Sequence, residues 1–409
     1  MRRLLCLGVV LTLGLAATAA AQTTDEFFNP DTLQRIDLWL NSSDWSKLRQ
    51  NFQENTYYPA DFTWNGQTVR NVGIRSRGLG SRSSTKPGLR VDFDRYSSGQ
   101  QFLGLKSFVL DNLTQDNTGI KETAAMRFFA RFGIPAPRET HTRLYVNGTY
   151  AGLYGLVETV DKTMMGRVFG SIGDDVQNDG YLFEYNYVLG SAWRFAYEGS
   201  DLAPYKARFD IKTNESHGDT RIWGPIEELI RLVNTTESAS FDATIGTRLD
   251  LPAFVKYIAG QNFIAQNDGF NGYDGMNNFY FYRLENSTTH VFIAWDEDNA
   301  FLQSDFGITT RNEENILTQK TLSLSQYGAL YFSSLSDAAA SAADWMRAEM
   351  QRQIAMTEEA MLADTLKPYS NGEYQTAREA LLSFPEARIT YVRCEVAKQT
   401  GATRPSGCQ

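Results

Sequence analysis

Between Asp268 and Phe301 the chain gathers oxygen-bearing side chains around two aromatic segments. Asp268 stands in a Gly- and Asn-rich loop, and Asn277 and Asn278 lead into a strand expected over 278–283. A short turn follows, then a second strand over 289–295 that ends at Asp296, Glu297 and Asp298. A hairpin between these strands would hold the loop of Asp268 beside the tip carrying Asp296. Carboxylate and amide oxygens collected in this way suit a hard cation such as Mg2+. A cation with so few protein ligands ordinarily completes its coordination with phosphate, so the chemistry such a set would support is phosphoryl transfer. A structural Ca2+ site at the acidic tip is the competing reading, although the spacing is not that of an EF-hand.

Other positions could complete such a site. Lys86 follows a Gly-rich turn, Gly78-Leu79-Gly80-Ser81, and enters a strand. Backbone amides in such a turn can cradle phosphate, and an ammonium can pair with its oxygens, but a G-x-G with serines is more often an ordinary loop. Glu122 lies in the first turn of an expected helix, where a carboxylate either complements the macrodipole or pairs with Lys86. Glu158 ends the strand YAGLYGLVE and is either an exposed strand end or the closing edge of a crevice. Asp268 could take or orient a hydroxyl proton, or could form an ordinary Asx turn.

The elements that must position these residues fall into two halves. Residues 22–160 read mostly as strands, with hairpins across Asn65-Gly66 and Asn147-Gly148. One helix interrupts them over 120–132, where Ala124, Ala125, Phe128, Phe129 and Phe132 recur at helical spacing before Gly133 and Pro135. Residues 161–409 read as helical apart from the acidic hairpin 277–298. Asp337 is expected to cap a long helix carrying Trp345, Met346, Met350, Ile354 and Met361, and a last helix is expected over 375–382. The expected fold is therefore α+β with two lobes, strand-rich then helix-rich, and a ligand crevice between them.

Residues 1–21 have the form of a signal peptide: Arg2 and Arg3, a short apolar run, then Ala19–Ala21 before Gln22. That run is too short to span a bilayer, so the expected product is exported, with no stable membrane span. Cys394 and Cys408 remain beyond it, as one disulfide or two unpaired thiols. A net charge of −9 without a basic run argues against nucleic acid as a partner.

The order of parts — Gly turn, Lys, helix Glu, strand-end Glu, loop Asp, Asn and terminal Asp — is that of protein kinases, although H-R-D, D-F-G and A-P-E are absent. RSRG at 75–78, FLGLKSFVLDN at 102–112, LYVNGTYAGLYGLVETVD at 144–161, NNFYFY at 277–282 and AWDED at 294–298 make the chain resemble the spore-coat-protein-H (CotH) kinase family, a group of atypical secreted protein kinases, from about residue 33 to 302. The resemblance implies a bilobal kinase-like fold that binds ATP with Mg2+, or with Mn2+ as an alternative, and phosphorylates Ser or Thr hydroxyls of surface or secreted proteins. It implies that Lys86 contacts the nucleotide phosphates, that Asp268 is the catalytic acid, that Asn278, Asp296 and Asp298 hold metal, and that Glu158 sits at the hinge. Glu122 as the partner of Lys86 follows from kinase-like order alone. Ala294 stands where the family often has Pro, and Asp268-Gly269 where Asp-Asn is usual. The alternative outcome is a surface adhesin or binding module that keeps the fold without catalysis.

Overall fold

The computed structural model describes residues 22–172, 175–176 and 178–408; the signal-peptide reading of 1–21 lies outside them. Alternating apolar positions in the first half build a closed barrel. Its strands are β1 (Gln34–Leu40), β2 (Tyr58–Trp64), β3 (Gln67–Arg77), β4 (Gly88–Asp92), β5 (Ser107–Asp111), β6 (Glu139–Val146) and β7 (Thr149–Glu158). They close in the order β1-β2-β3-β4-β5-β7-β6, with β6 parallel to β1 and the other neighbours antiparallel. The Asn65-Gly66 and Asn147-Gly148 turns have positive φ at both residues, as a two-residue hairpin turn of the strand-matching hand requires. Phe27, from the short helix α1 (Thr24–Phe27), packs among Phe62, Trp64, Phe102 and Phe108 with centroids 5.3–6.3 Å apart. Helix α2 (Ser42–Gln50) lies against β2 and β3, and α3 (Lys121–Phe132) buries its Ala and Phe face.

In the second half, α4 (Lys162–Phe169) precedes a two-stranded ribbon, β8 (Ser171–Ile172) and β9 (Asp175–Val176). Next come β10 (Tyr181–Tyr185), α5 (Ala203–Arg208), β11 (Phe209–Ile211), α6 (Asp219–Ile222), α7 (Gly224–Thr235), α8 (Ser238–Ile245) and α9 (Leu251–Phe263). The acidic hairpin is β12 (Phe279–Arg283) and β13 (His290–Ala294), in a sheet ordered β11-β10-β12-β13. Four helices follow: α10 (Ile316–Ser323), α11 (Ser325–Ala343), α12 (Met346–Ala363) and α13 (Asn371–Thr400). The architecture is α+β, a strand-rich part followed by a helix-rich part.

Two helix boundaries differ from expectation. Asp337 lies inside α11, and the chain breaks at Asp344–Trp345 before α12 begins, so one long helix becomes two. The last helix is much longer than 375–382: it begins at a Ser370–Glu373 capping box and runs through Pro385 to Thr400. Proline removes one helical hydrogen bond, and here burial of Phe384, Pro385, Arg388 and Val392 outweighs that loss. Cys394 and Cys408 form a disulfide, which closes the choice left open by the sequence. Among the described residues no helix is long and apolar enough to cross a membrane.

A small apolar cluster fixes the two halves to each other. Val109 and Val157 of the barrel, Met164 and Met165 of α4, Leu182, Tyr280 and Ile293 of the sheet, and Trp295 just after β13 bury one another. This seam sets the ends of β12 and β13 against the ends of β3 and β5, and it brings the acids into a cleft.

Candidate active site

The cleft has a volume of about 720 Å³ and draws on both halves of the chain. One wall is cationic. Arg75 and Arg77 end β3, and Arg82 follows the Gly-rich turn 78–81. Arg82 ties that turn down: it donates to Gly78 O at 2.7 Å, to Phe52 O at 2.9 Å and to Asn55 Oδ1 at 2.6 Å. Asn112 Nδ2 holds the turn's far end through Ser81 O at 2.8 Å. Burial, then repulsion from Arg75 and Arg77, lowers the pKa of the Arg82 guanidinium. Such a wall is stabilised by an anion.

The opposite surface is acidic. After α9 the chain turns through Ala265, with φ of 55°, and presents Asp268. Asp268 Oδ2 accepts from Asn277 Nδ2 at 3.2 Å and from Asn278 Nδ2 at 3.3 Å, and Asn278 Nδ2 also donates to Asp268 O at 3.0 Å. With its nitrogen engaged on the loop, Asn278 has its amide oxygen as the end a cation would take. Burial raises the Asp268 carboxyl, and the two Asn bonds oppose that rise.

Asp296 and Asp298 follow β13 as half-buried cleft residues. Asp296, with φ of 55°, is pushed up to about 6 by burial and then by Asp111, against the pull of Arg77. Asp298 is also raised, well above the ordinary carboxylate range, by burial and then by Asp296 and Asp111. Among the described residues no three His, Cys, Asp or Glu side chains are gathered tightly enough to hold a metal ion. The donor set nevertheless fits a hard cation that shares its coordination with phosphate: two mutually repelling carboxylates and the Asn278 side-chain amide line the cleft, and a cation relieves the repulsion.

Of the expected site residues, Asp268, Asn278, Asp296 and Asp298 line one cleft; Lys86, Glu122 and Glu158 are not among its lining. Lys86 is 1 % exposed. Its Nζ lies 2.7 Å from Asp364 Oδ2, donates to Leu153 O at 2.8 Å and sits over the Tyr154 ring. The Lys86–Glu122 pair therefore does not form. The reason is Asp364, in the α12–α13 connection, whose carboxylate also accepts from Leu153 N, Leu366 N and Lys367 N. Gly152 admits it: a Cβ there would lie 2.5 Å from Asp364 Oδ2. A carboxylate taken so far from water needs a partner charge, and Lys86 supplies it.

Glu122 instead meets another acid. Burial, then Glu139 of β6, Asp296 and Asp111, raises the Glu122 carboxyl well above the ordinary range, and burial, then Asp111 and Asp296, does the same to Glu139. Glu158, 1 % exposed, is held by Arg138 at 2.6 Å and Arg167 at 2.5 Å; it locks the end of β7 to the start of β6 and to α4.

Three features of the site were missed in the sequence. Arg77 is the cation that faces the acids: its guanidinium is 3.7 Å from Asp111 Oδ2 and over the Trp295 ring. Burial works against its charge, and Asp111, Asp296 and Glu184 more than restore it. Its position in RSRG beside the Gly turn was the available signal. Lys212 bridges Glu184 and Asp210, each at 2.6 Å, on the same cleft. Glu297 is not part of the acidic surface: it is fully buried beneath it, and burial pushes it up to about 8. Ala294 donates its N–H to Pro135 O at 3.0 Å, a bond that the proline frequent in the resembled family could not make.

The chain belongs to the CotH kinase family: the family's model, CotH kinase protein, matches residues 74–392, well over half of the chain. It is similar to the inner spore coat protein H of Bacillus subtilis (strain 168), 21 % identical over 277 residues that span 66 % of this chain and 69 % of that protein. Similar solved structures include the HipA–HipB–operator DNA complex of a Shewanella oneidensis MR-1 toxin–antitoxin system, with 13 % identity over 88 % of this chain and 74 % of that one at TM-score 0.38. They also include the Helicobacter pylori proinflammatory kinase CtkA, with 10 % identity over 76 % and 95 % at TM-score 0.30. The Golgi casein kinase matches with 10 % identity over 93 % and 78 % at TM-score 0.31. These likenesses are distant, and the family assignment rests on the family model.

Proposed function

We propose that the chain is an exported protein kinase that transfers the γ-phosphoryl group of ATP, with Mg2+, to Ser or Thr hydroxyls of surface or secreted proteins. The observation that carries this reading is the division of one cleft into a cationic wall and an acidic surface, the complement of a polyphosphate with its counter-cation. Arg77 and the amides of the 78–81 turn hold the phosphates. Asn278, Asp296 and Asp298 are the residues that would hold the cation, which when bound neutralises charge on the β- and γ-phosphates. Asp268 faces the acceptor hydroxyl and takes its proton as that oxygen bonds to the γ-phosphorus; the bond to the β–γ bridging oxygen breaks, and its electron pair leaves with ADP. Lys86, Glu122 and Glu158 act behind this surface, as supports.

The test is transfer of labelled phosphate from ATP to an acceptor protein or to the chain itself. Asp268→Asn lowers the rate by about 10²–10⁴-fold, the range for loss of a positioned base. Asp296→Ala transferring phosphate at the parent rate overturns the reading. A parent that binds ATP and Mg2+ together, seen as a joint rise in melting temperature, yet transfers nothing is a binding module instead.

A further inference from the structure

Beneath the acidic surface a single side chain connects its two halves. Glu297 lies between the cleft residues Asp296 and Asp298 but is 0 % exposed. Its Oε1 accepts from Gln261 Nε2 at 3.1 Å and its Oε2 from Gln266 Nε2 at 2.6 Å. Each amide's other end is engaged on the loop that carries the proposed base: Gln266 Oε1 accepts the Asp268 N–H at 2.9 Å, and Gln261 Oε1 accepts the Phe270 N–H at 3.0 Å. Both Glu297 oxygens meet amide NH2 groups, so both glutamine carbonyl oxygens turn toward the loop.

The residue between the two anchored amides is Gly269. A Cβ there would lie 2.6 Å from Gln261 Nε2 and 2.8 Å from both Gln261 Oε1 and Gln266 Cγ. A side chain at this position would displace the glutamines, which gives the Asp268-Gly269 sequence a physical reason. The loop lies directly on the amides, and the amides lie on the carboxylate.

We infer that Glu297 is a positioning residue for phosphoryl transfer: through Gln261 and Gln266 it sets the height of Asp268 relative to Asp296, and it touches neither nucleotide nor acceptor. This rests on the kinase reading of the cleft. The geometry demands a two-pronged acceptor at this place. A glutamine in place of this glutamate keeps the shape but replaces one acceptor with a donor, so one of the two amides must turn over and release its loop N–H.

The experiment compares the full chain with Glu297→Gln and with Glu297→Gln/Gln266→Glu. In the double variant the two side chains exchange roles. The carboxylate, moved to the position of Gln266, accepts both the Asp268 N–H and the amide that replaces Glu297, so the link to Asp268 is restored with the charge moved. The expected result for Glu297→Gln is a fall in kcat of about 10–100-fold, the scale of a small misplacement of a reacting group, with KM for ATP within about twofold and an unchanged melting temperature. Amide hydrogen exchange at 268–270 speeds by about tenfold or more while the rest of the chain is unaffected. The double variant recovers most of both changes.

A Glu297→Gln protein whose kcat stays within about twofold of an active parent overturns the positioning role alone. Parallel losses of kcat, ATP binding and melting temperature mean that Glu297 is merely structural. Should that variant not fold, Gln266→Met makes the same cut from the other side and carries the same two outcomes. A parent with no transferase activity overturns the kinase reading, and this inference with it, even when the exchange change at 268–270 is present.

Discussion

Lys86 and Arg77 are cations at neighbouring ends of paired strands, since Arg77 sits opposite Gly88 at the start of β4, yet they meet their acids in contrasting ways. Lys86 and Asp364 are almost wholly dry and 2.7 Å apart, and every group around them is engaged. Arg77 stands 3.7 Å from Asp111, with both side chains partly exposed to an open cleft. The first arrangement leaves nothing for a ligand to add. The second holds a charge in place without satisfying it, and that is what an anion-binding group requires. A buried, well-paired lysine in a kinase family is therefore evidence about stability, and the looser arginine beside it is evidence about binding.

The comparison breaks first at Lys86. Lys86→Met leaves the Asp364 carboxylate buried without its partner and costs about 3–5 kcal/mol of unfolding free energy, whereas Lys86→Met with Asp364→Leu recovers much of that loss. Denaturant unfolding of both variants checks this; a mild single variant would mean that the pair is wet. Arg77→Ala has the opposite profile. It weakens nucleotide binding by about 1.5–3 kcal/mol, the range for a lost charge-assisted hydrogen bond. The unfolding free energy shifts by about 1 kcal/mol, well below the loss at Lys86. Titration of ATP with Mg2+ and a melt on the same protein read both numbers, and equal losses in the two would erase the contrast.

A smaller effect extends the contrast to basic side chains that burial keeps uncharged. Burial lowers His141 to about 4 and His290 to about 3, from an ordinary 6.5. Below pH 6.5 the unfolded chain takes up protons at these sites and the folded chain does not. Stability is therefore flat above that pH and falls on acidification toward each folded value, by at most about 1.4 kcal/mol per pH unit per histidine. The stability difference between parent and His141→Gln, followed from pH 7 to 4, isolates one of them and should change only below about 6.5. Smallest of all, the exposed Arg35–Asp37 pair should contribute no more than about 0.2–1 kcal/mol, by a double-mutant cycle.

The acidic set was legible because its members are close in sequence and sit at the ends of strands whose alternation is plain. Asn278 and Asp296 flank β12 and β13, so pairing Phe279 with Ala294 brings them together. The Asn-Gly hairpins were legible for the same local reason. Lys86 was misplaced because its partner, Asp364, lies far along the chain in a connection with no motif. Glu297 was grouped with its neighbours because composition does not reveal that adjacent residues at a strand end face opposite ways. The last helix was expected to stop short of Pro385, although packing against the core carries it through that residue. In each case local chemistry was read correctly, and the deciding contact came from a distant segment.

Arg388 of α13 is fully buried. It donates to Asn262 O at 2.8 Å and Phe263 O at 2.9 Å, where α9 ends, and to Ser304 O at 3.1 Å and Phe306 O beyond the acidic tip. The similarity visible in the sequence stops near residue 302, but the family match ends just beyond this arginine. A shortened protein ending at 302 would retain Asp268, Asn278, Asp296 and Asp298 and still lose the keystone beneath them, leaving the carbonyl oxygens at the end of α9 without their donor. The smallest autonomous unit of this kinase-family chain therefore includes its closing helix.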